Sequence, residues 1–131
     1  MNSDQLDVMG RRLIGKNFLG VFPLNALPKQ LKVPSYFIVN THTINLPGEH
    51  WLAVAYQNRG VVDVFDSFGY YYPIPLIRYL KPYGRLNLSR KRIQHPFSTA
   101  CGLHSITWLR YDISLFTSYY FINIFFSSSV N

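Results

Sequence analysis

Apolar and polar residues alternate most regularly in the middle of the chain. The segments SYFIVNT (35–41), HWLAVAY (50–56) and VVDVFD (61–66) are rich in β-branched and aromatic residues, which is typical of strands. The last two are separated by QNRG, whose Asn58 and Gly60 suit a tight turn. The pattern therefore predicts three strands, and the second and third of them form a β-hairpin.

Apolar positions spaced by three and four residues predict a helix on either side of this region. The first helix covers residues 4–13, with Ser3 or Asp4 as its N-cap. The second begins at Cys101. Its apolar stripe consists of Leu103, Ile106, Leu109 and Ile113.

Two further segments have less regular patterns. Residues 18–34 are interrupted by Gly20 and three prolines, which predicts extended chain and turns that lead into the first strand. Residues 76–84 fit a helix or an irregular segment, and a basic stretch without a predicted element follows them. At 131 residues the chain has the length of one domain.

The composition is that of a folded protein, since 48% of the residues are hydrophobic and 17% aromatic. Cys101 is the single cysteine, so an intramolecular disulfide is excluded and a reducing compartment is favoured. The N-terminus lacks the apolar core of a secretory signal. The apolar run at 113–126 is shorter than the ~20 residues that span a bilayer. We therefore expect an intracellular monomer without a membrane segment.

Positive charge is concentrated in one part of the sequence. Thirteen Lys and Arg against six Asp and Glu give a net charge of +7, and residues 67–111 contain no acidic residue. A field of this sign attracts nucleic acid or acidic proteins, although the same charges also fit a solvated face. The candidate nucleic-acid-binding residues are Arg78, Lys81, Arg85, Arg90, Lys91 and Arg92.

The predicted hairpin brings two polar residues to the same end of two apolar strands. With residues 57–60 as the turn, counting back along the strands places His50 opposite Ser67, and a shift by one residue places it opposite Asp66. Either register leaves the imidazole and the carboxylate at one end of the hairpin. Only one of the two registers also places them on the same face.

These residues fit the parts of a thiol-dependent catalytic site. Cys101 at a helix N-terminus would gain thiolate character, His50 would act as base, and Asp66 would orient the imidazole. Gln94 would donate a side-chain N–H to the oxyanion beside the Cys101 amide. Each residue alone has an ordinary explanation, since a single cysteine is commonly an apolar core residue and Asp66 fits a turn. The joint arrangement favours catalysis, because the hairpin pairs two of these residues without any catalytic assumption.

Three segments resemble the motif blocks of a known protein family. GEHWLAVAY (48–56), VFDSFGY (64–70) and QHPFSTACGLHS (94–105) resemble the adenovirus endopeptidase (adenain) family of cysteine proteases and, more distantly, the SUMO-specific proteases. With the segments upstream, the resemblance covers about residues 17–109. It implies an α+β, papain-like fold in which the catalytic helix packs on a mainly antiparallel sheet, with residues 1–131 as one protease domain.

The resemblance also implies roles for individual residues. Asp66 stands where the adenoviral enzyme has Glu and where the SUMO proteases have Asp. The resemblance implies no metal and no required cofactor, with DNA as a possible activator and Trp51 packed near the site. The implied catalytic triad is His50, Asp66 and Cys101, with Gln94 in the oxyanion hole.

The chain also departs from the family pattern. The adenoviral enzyme is activated by a viral peptide attached through a second cysteine, and this chain has no second cysteine, so that route is excluded. Residues 114–131 match nothing in the family, which continues with further helices, so we expect a shortened C-terminal part.

We therefore expect a cysteine endopeptidase of a virus or virus-like mobile element, one that processes precursor proteins during virion maturation. The resemblance implies a location in the host nucleus or the virion. A first alternative is an isopeptidase that acts on conjugates of ubiquitin-like proteins. A second alternative, favoured by the basic stretch, is an inactive remnant that binds nucleic acid.

Overall fold

The computed structural model describes residues 2–41, 50–66, 72–89 and 104–113. The elements of the chain, in order, are α1 (Ser3–Leu13), β1 (Phe18–Pro23), β2 (Ser35–Asn40), β3 (Trp51–Asn58), β4 (Gly60–Phe65), α2 (Ile74–Leu80), a 3-10 turn (Lys81–Tyr83) and β5 (Gly84–Leu88). Residues 104–113 are also helical and are called α3. The expected α+β class is confirmed.

The five strands form one mixed sheet in the order β1-β2-β3-β4-β5. The central pairs β2–β3 and β3–β4 are antiparallel, whereas the outer pairs β1–β2 and β4–β5 are parallel. The prediction of a mainly antiparallel sheet is therefore wrong, since half of the strand pairs are parallel. Each parallel pair needs a connection that returns the chain along the sheet, which residues 24–34 and α2 with its 3-10 turn provide.

Apolar side chains on the two faces of the sheet form two cores. Helices α1 and α3 cover the first face, and α2 with residues 24–34 covers the second. Because both faces are covered, β2 and β3 are buried along nearly their whole length and carry continuous apolar runs. The first core consists of Leu6, Phe18, Tyr36, Ile38, Trp51, Ala53, Ala55, Phe65, Ile106 and Leu109. The second consists of Leu31, Phe37, Val39, Leu52, Val54, Tyr56, Val62, Val64, Leu76 and Leu80.

Helix α1 begins one residue earlier than its predicted caps imply. Asn2 is the N-cap: its Oδ1 accepts from the Gln5 N–H at 2.8 Å, while Gln5 Oε1 accepts from the Asn2 N–H at 3.0 Å. This reciprocal pair is a capping box, which satisfies two backbone donors at the helix start. The predicted caps, Ser3 and Asp4, are therefore wrong.

Within the four described ranges, no helix combines the length and the apolar character that crossing a membrane requires.

Candidate active site

His50 and Asp66 meet at one end of the central hairpin. His50 directly precedes β3 and Asp66 directly follows β4, and His50 Nε2 lies 2.8 Å from Asp66 Oδ1. The two side chains are 3% and 0% exposed. Burial of such groups is costly unless they contact each other closely, so the pair is held in a defined geometry. The structure brings the two residues together as the hairpin predicts, while their catalytic roles stay predictions.

The register that produces this contact differs from both predicted registers. A β-bulge follows the turn, and beyond it Ala53 pairs with Phe65. One step further along this register, Asp66 falls opposite Leu52 and not opposite His50. His50 and Asp66 are then diagonal neighbours on the same face of the sheet, a separation that long side chains bridge.

Thr41 fixes the backbone of His50. The Thr41 N–H donates to the His50 carbonyl oxygen at 2.8 Å, and Thr41 Oγ1 donates to the same oxygen at 3.1 Å. Both residues are 3% exposed. The imidazole therefore projects from a backbone position that the end of β2 holds in place.

Helix α3 packs against the residues adjacent to this pair. Ser105 Oγ donates to the Trp51 carbonyl oxygen at 3.3 Å, and Trp51 is the residue after His50. The Trp108 ring stacks on Phe65 with centroids 5.2 Å apart and planes at 6°, and Phe65 is the residue before Asp66. The helix that the sequence places after Cys101 thus packs on the first face of the sheet, against the residues that adjoin His50 and Asp66 in sequence.

The other end of α3 is joined to the sheet by a polar network. Gln57 Nε2 donates to Asp112 Oδ2 at 2.8 Å, and the Tyr36 hydroxyl donates to Gln57 Oε1 at 3.0 Å. Burial and the neighbouring Asp63 carboxyl raise the pKa of Asp112 to about 7, although the hydrogen bond from Gln57 opposes the rise. Burial, with a smaller effect from Asp112, raises the pKa of Tyr36 to about 12.

This network was not predicted from the sequence. The available signal was the pair of polar residues Gln57 and Asp63, which stand near the closed end of two otherwise apolar strands.

Several predicted site residues fall outside the described ranges. These are the predicted nucleophile Cys101 and the predicted oxyanion donor Gln94. The last three residues of the basic set, Arg90, Lys91 and Arg92, also lie outside these ranges. Of the four predicted catalytic residues, the structure therefore describes His50 and Asp66.

The remaining basic residues are exposed but do not share one side of the sheet. Arg78 and Lys81 belong to α2 and the 3-10 turn, on the second face. Arg85 lies in β5, where it alternates with Leu86 and Leu88, which pack against the second core. Since neighbouring residues of a strand point to opposite faces, the Arg85 side chain leaves β5 toward the first face. The sequence cluster is therefore divided between two sides.

In the part of the chain that the structure describes, no group of three or more His, Cys, Asp or Glu side chains is arranged to hold a metal ion.

No protein-family model matches the chain, and neither does any curated protein. The resemblance of the three sequence segments to the adenain family stays a prediction.

Proposed function

We propose that the protein is a cysteine endopeptidase in which Cys101 is the nucleophile, His50 the general base and Asp66 the orienting acid. The observation that carries the proposal is the buried contact of 2.8 Å between the imidazole and the carboxylate. A base that must collect and return a proton needs a fixed ring orientation, and a carboxylate at one ring nitrogen supplies it. The proposed fold is papain-like.

The covalent chain limits how far Cys101 can lie from this pair. Cys101 precedes Ser105 by four residues, and four residues span at most about 14 Å between Cα atoms. Ser105 in turn contacts the Trp51 carbonyl, next to His50. This chain length allows the thiol to reach the imidazole, as the proposed mechanism requires.

The chain limits the position of Gln94 in the same way. It follows Ser89 by five residues, and the Ser89 N–H donates to the Val64 carbonyl oxygen at 2.9 Å. Val64 lies two residues before Asp66. The proposed role of Gln94 is to donate a hydrogen bond to the oxyanion of the tetrahedral intermediate.

The ring nitrogens of His50 have separate roles in the proposed mechanism. Nε2 faces Asp66, so a thiol that hydrogen-bonds to the ring does so through Nδ1. The thiolate attacks the carbonyl carbon of the scissile bond while the imidazolium holds the thiol proton. Collapse of the intermediate breaks the C–N bond, and the imidazolium gives that proton to the leaving amine. Water then attacks the thioester, its proton passes to His50 and on to the released thiol, and the acid is freed.

The proposed substrates are precursor proteins of a virus or virus-like element, processed in the virion or the host nucleus. An isopeptidase for ubiquitin-like proteins is the second candidate, and one observation favours it: the acid beside His50 is Asp66, as in the SUMO proteases. The same thiol chemistry cleaves either amide. A panel of ubiquitin-like fusions measured beside precursor peptides separates the two, since the preferred class shows the higher kcat/KM.

Irreversible labelling by a peptide with a thiol-reactive group tests the mechanism. We expect adduct at Cys101 in the wild type and none in Cys101→Ala. His50→Gln retains a donor toward Asp66 but lacks a base, so its labelling rate should fall by roughly 10²–10⁴-fold. His104→Ala is the control, since His104 is the other histidine in the described ranges and has no proposed role. Equal labelling rates in wild type and His50→Gln would contradict the proposal.

A further inference from the structure

Two carboxyl groups meet between α3 and the first face of the sheet. Asp63 of β4 and Asp112 of α3 are hydrogen-bonded to each other through their side chains. A hydrogen bond between two carboxyl groups requires that one of them is protonated, because an ionised carboxylate only accepts. The contact therefore holds a proton between the sheet and the helix.

The neighbouring hydrogen bonds place this proton on Asp112. Gln57 Nε2 donates to Asp112 Oδ2 at 2.8 Å, which leaves the other oxygen of that carboxyl to carry the proton. Asn87 Nδ2 donates to Asp63 Oδ1 at 2.9 Å, and this favours Asp63 as the ionised partner. Burial of Asp112, together with the Asp63 carboxyl, raises the pKa of Asp112 to about 7.

Other ionisable groups surround the pair. Tyr36 on β2 stays neutral because burial raises its pKa to about 12, and Asp7 and Arg11 on α1 pair with each other at 3.0 Å. His104 titrates in the same range as the pair but lies at the other end of α3. The remaining charges are exposed arginines, which stay charged and are screened by solvent: Arg59 in the turn, Arg85 on β5 and Arg110 on α3.

One side of α3 carries the contacts at both ends of the helix. Ser105, Trp108 and Asp112 are spaced by three and four residues, so they lie on the same side. Ser105 binds the Trp51 carbonyl oxygen and Trp108 stacks on Phe65, next in sequence to the two members of the proposed catalytic pair. A shift of the last turn of α3 therefore changes how the helix meets the sheet beside that pair.

We propose that the proton shared by Asp63 and Asp112 is a pH switch for the proposed active site. At acidic pH the proton holds the last turn of α3 on the sheet. As the pH rises to neutral and above, the proton leaves to solvent, and repulsion between the two carboxylates displaces the helix end and lowers activity. The effect on activity rests on the proposed protease function, whereas the movement of α3 does not.

The sign of the effect follows from where the proton binds more tightly. The docked helix holds it with the raised pKa of Asp112, about 7, whereas a released, solvated aspartate loses it near pH 4. Docking is therefore most favourable below about pH 4 and weakens as the pH rises toward about 7.

The indole N–H signals in NMR spectra of the ¹⁵N-labelled protein measure docking without any activity. We expect the Trp108 signal, assigned with Trp108→Phe, to shift between pH 5.5 and pH 8 in the wild type and to stay in place in Asp112→Asn. The amide of this variant accepts from Gln57 and donates to Asp63, as the protonated acid does. Both proteins keep His50 and His104, so the titration of these histidines cancels in the comparison.

A second variant tests the pair from the other side. Asp63→Asn should also remove the shift, because its amide donates to the Asp112 carboxylate without a proton. Asp4→Asn is the matched control, since it removes the same charge from an exposed position in the first turn of α1 and should titrate like the wild type. A Trp108 signal that stays in place in the wild type, or a shift that persists in either pair variant, overturns the switch.

Labelling of Cys101 by a peptide electrophile at the same two pH values measures the effect on the site. We expect the ratio of the wild-type rate to the Asp112→Asn rate to fall about tenfold from pH 5.5 to pH 8. If Cys101 reacts but this ratio stays constant, control of the site is wrong and the protease proposal stands. If Cys101 is unreactive in every form while Trp108 shifts only in proteins with the intact pair, the protease proposal is wrong and the helix switch remains.

Discussion

His50 is held from two directions. Thr41 binds its carbonyl oxygen through two hydrogen bonds, and Asp66 meets its ring nitrogen at 2.8 Å. A side chain fixed at both backbone and ring has little rotational freedom left to lose when a substrate binds. Such pre-organisation is what a general base requires, since it must be in position before the transition state forms.

Asp66 should be needed for activity as a hydrogen-bond acceptor more than as a charge. Asp66→Asn keeps an oxygen that can accept from His50, so we expect a partial loss, smaller than the ~10⁴-fold loss of a serine triad with the same change. Asp66→Ala removes the acceptor and should lose more. Both are measured as kcat/KM on the best peptide substrate, with a thermal melt to establish folding.

Asp4→Asn is the control for these two variants, since Asp4 is exposed in the first turn of α1, outside the central hairpin, and has no proposed role. Wild-type kcat/KM in Asp66→Ala would show that the carboxylate does not orient the base.

At the scale of elements, strands on the edge of the sheet were the hardest to predict. The central strands β2, β3 and β4 were predictable because burial on both faces selects β-branched and aromatic runs. In the described part of the sheet, the outer strands β1 and β5 each pair with one neighbour and have shorter or interrupted apolar runs, so their sequences look like extended chain and a basic loop. The contact between His50 and Asp66 was predictable from the turn, but its register was not, because a bulge has no clear sequence signal.

Gly84 controls the pairing of β5 with β4. It lies opposite Gly60 in the parallel pair, with φ of 135° and ψ of −156°, a region that only glycine commonly occupies. A Cβ at position 84 would also overlap the Gly60 backbone. We expect Gly84→Ala to lower the free energy of unfolding by about 3 kcal/mol or more, from backbone strain plus overlap, as measured by urea denaturation.

Gly60→Ala separates the two effects, because Gly60 also has a positive φ of 88° but a Cβ there would meet open space. This variant should lose only about 1–2 kcal/mol. Equal losses in the two variants would show that the overlap at Gly84 is relieved and that strain alone determines the cost.

At the scale of the whole molecule, α3 connects the two ends of the sheet. Ser105 binds beside His50 at one end, and Asp112 joins Gln57 near the turn at the other. Movement of either end would therefore displace the other, along with the chain that leads back to Cys101. The docking of this one helix links the stability of the fold to the geometry of the proposed site.

Docking of α3 should depend on pH through Asp112. Its pKa is raised to about 7, so the folded state favours the protonated acid, whereas the unfolded chain releases the proton near pH 4. Its contribution to stability is full below about pH 4 and is lost as the pH rises toward about 7. The facing groups are Tyr36 on β2, Gln57 on β3 and Asp63 on β4, with Asn87 on β5 donating to Asp63 at 2.9 Å.

Asp112→Asn removes this titration and can still accept the hydrogen bond from Gln57. Urea denaturation at pH 4.5, 6 and 8 should show the wild type losing stability relative to the variant as the pH rises, with the variant the more stable at pH 8. Asp63→Asn should reduce the pH-dependent difference too, because it removes the neighbouring carboxyl. A constant difference between wild type and Asp112→Asn across these pH values would contradict the raised pKa.

Polyanion binding should depend on the side of the sheet from which each basic residue projects. Arg78 and Lys81 lie on the second face, whereas Arg85 leaves β5 toward the first, so one DNA duplex cannot readily meet all three. If DNA contacts Arg85 together with Arg90, Lys91 and Arg92, four phosphates are neutralised and log affinity should fall against log salt with a slope of about −3.6. Charge reversal at those four positions should abolish binding at low salt and any DNA-dependent gain in turnover.

The double variant Arg78→Glu and Lys81→Glu is the control and should keep the slope of log affinity against log salt, measured by fluorescence anisotropy across a salt series. A slope that becomes less negative by about 1.8 in this double variant would instead place the DNA on the second face.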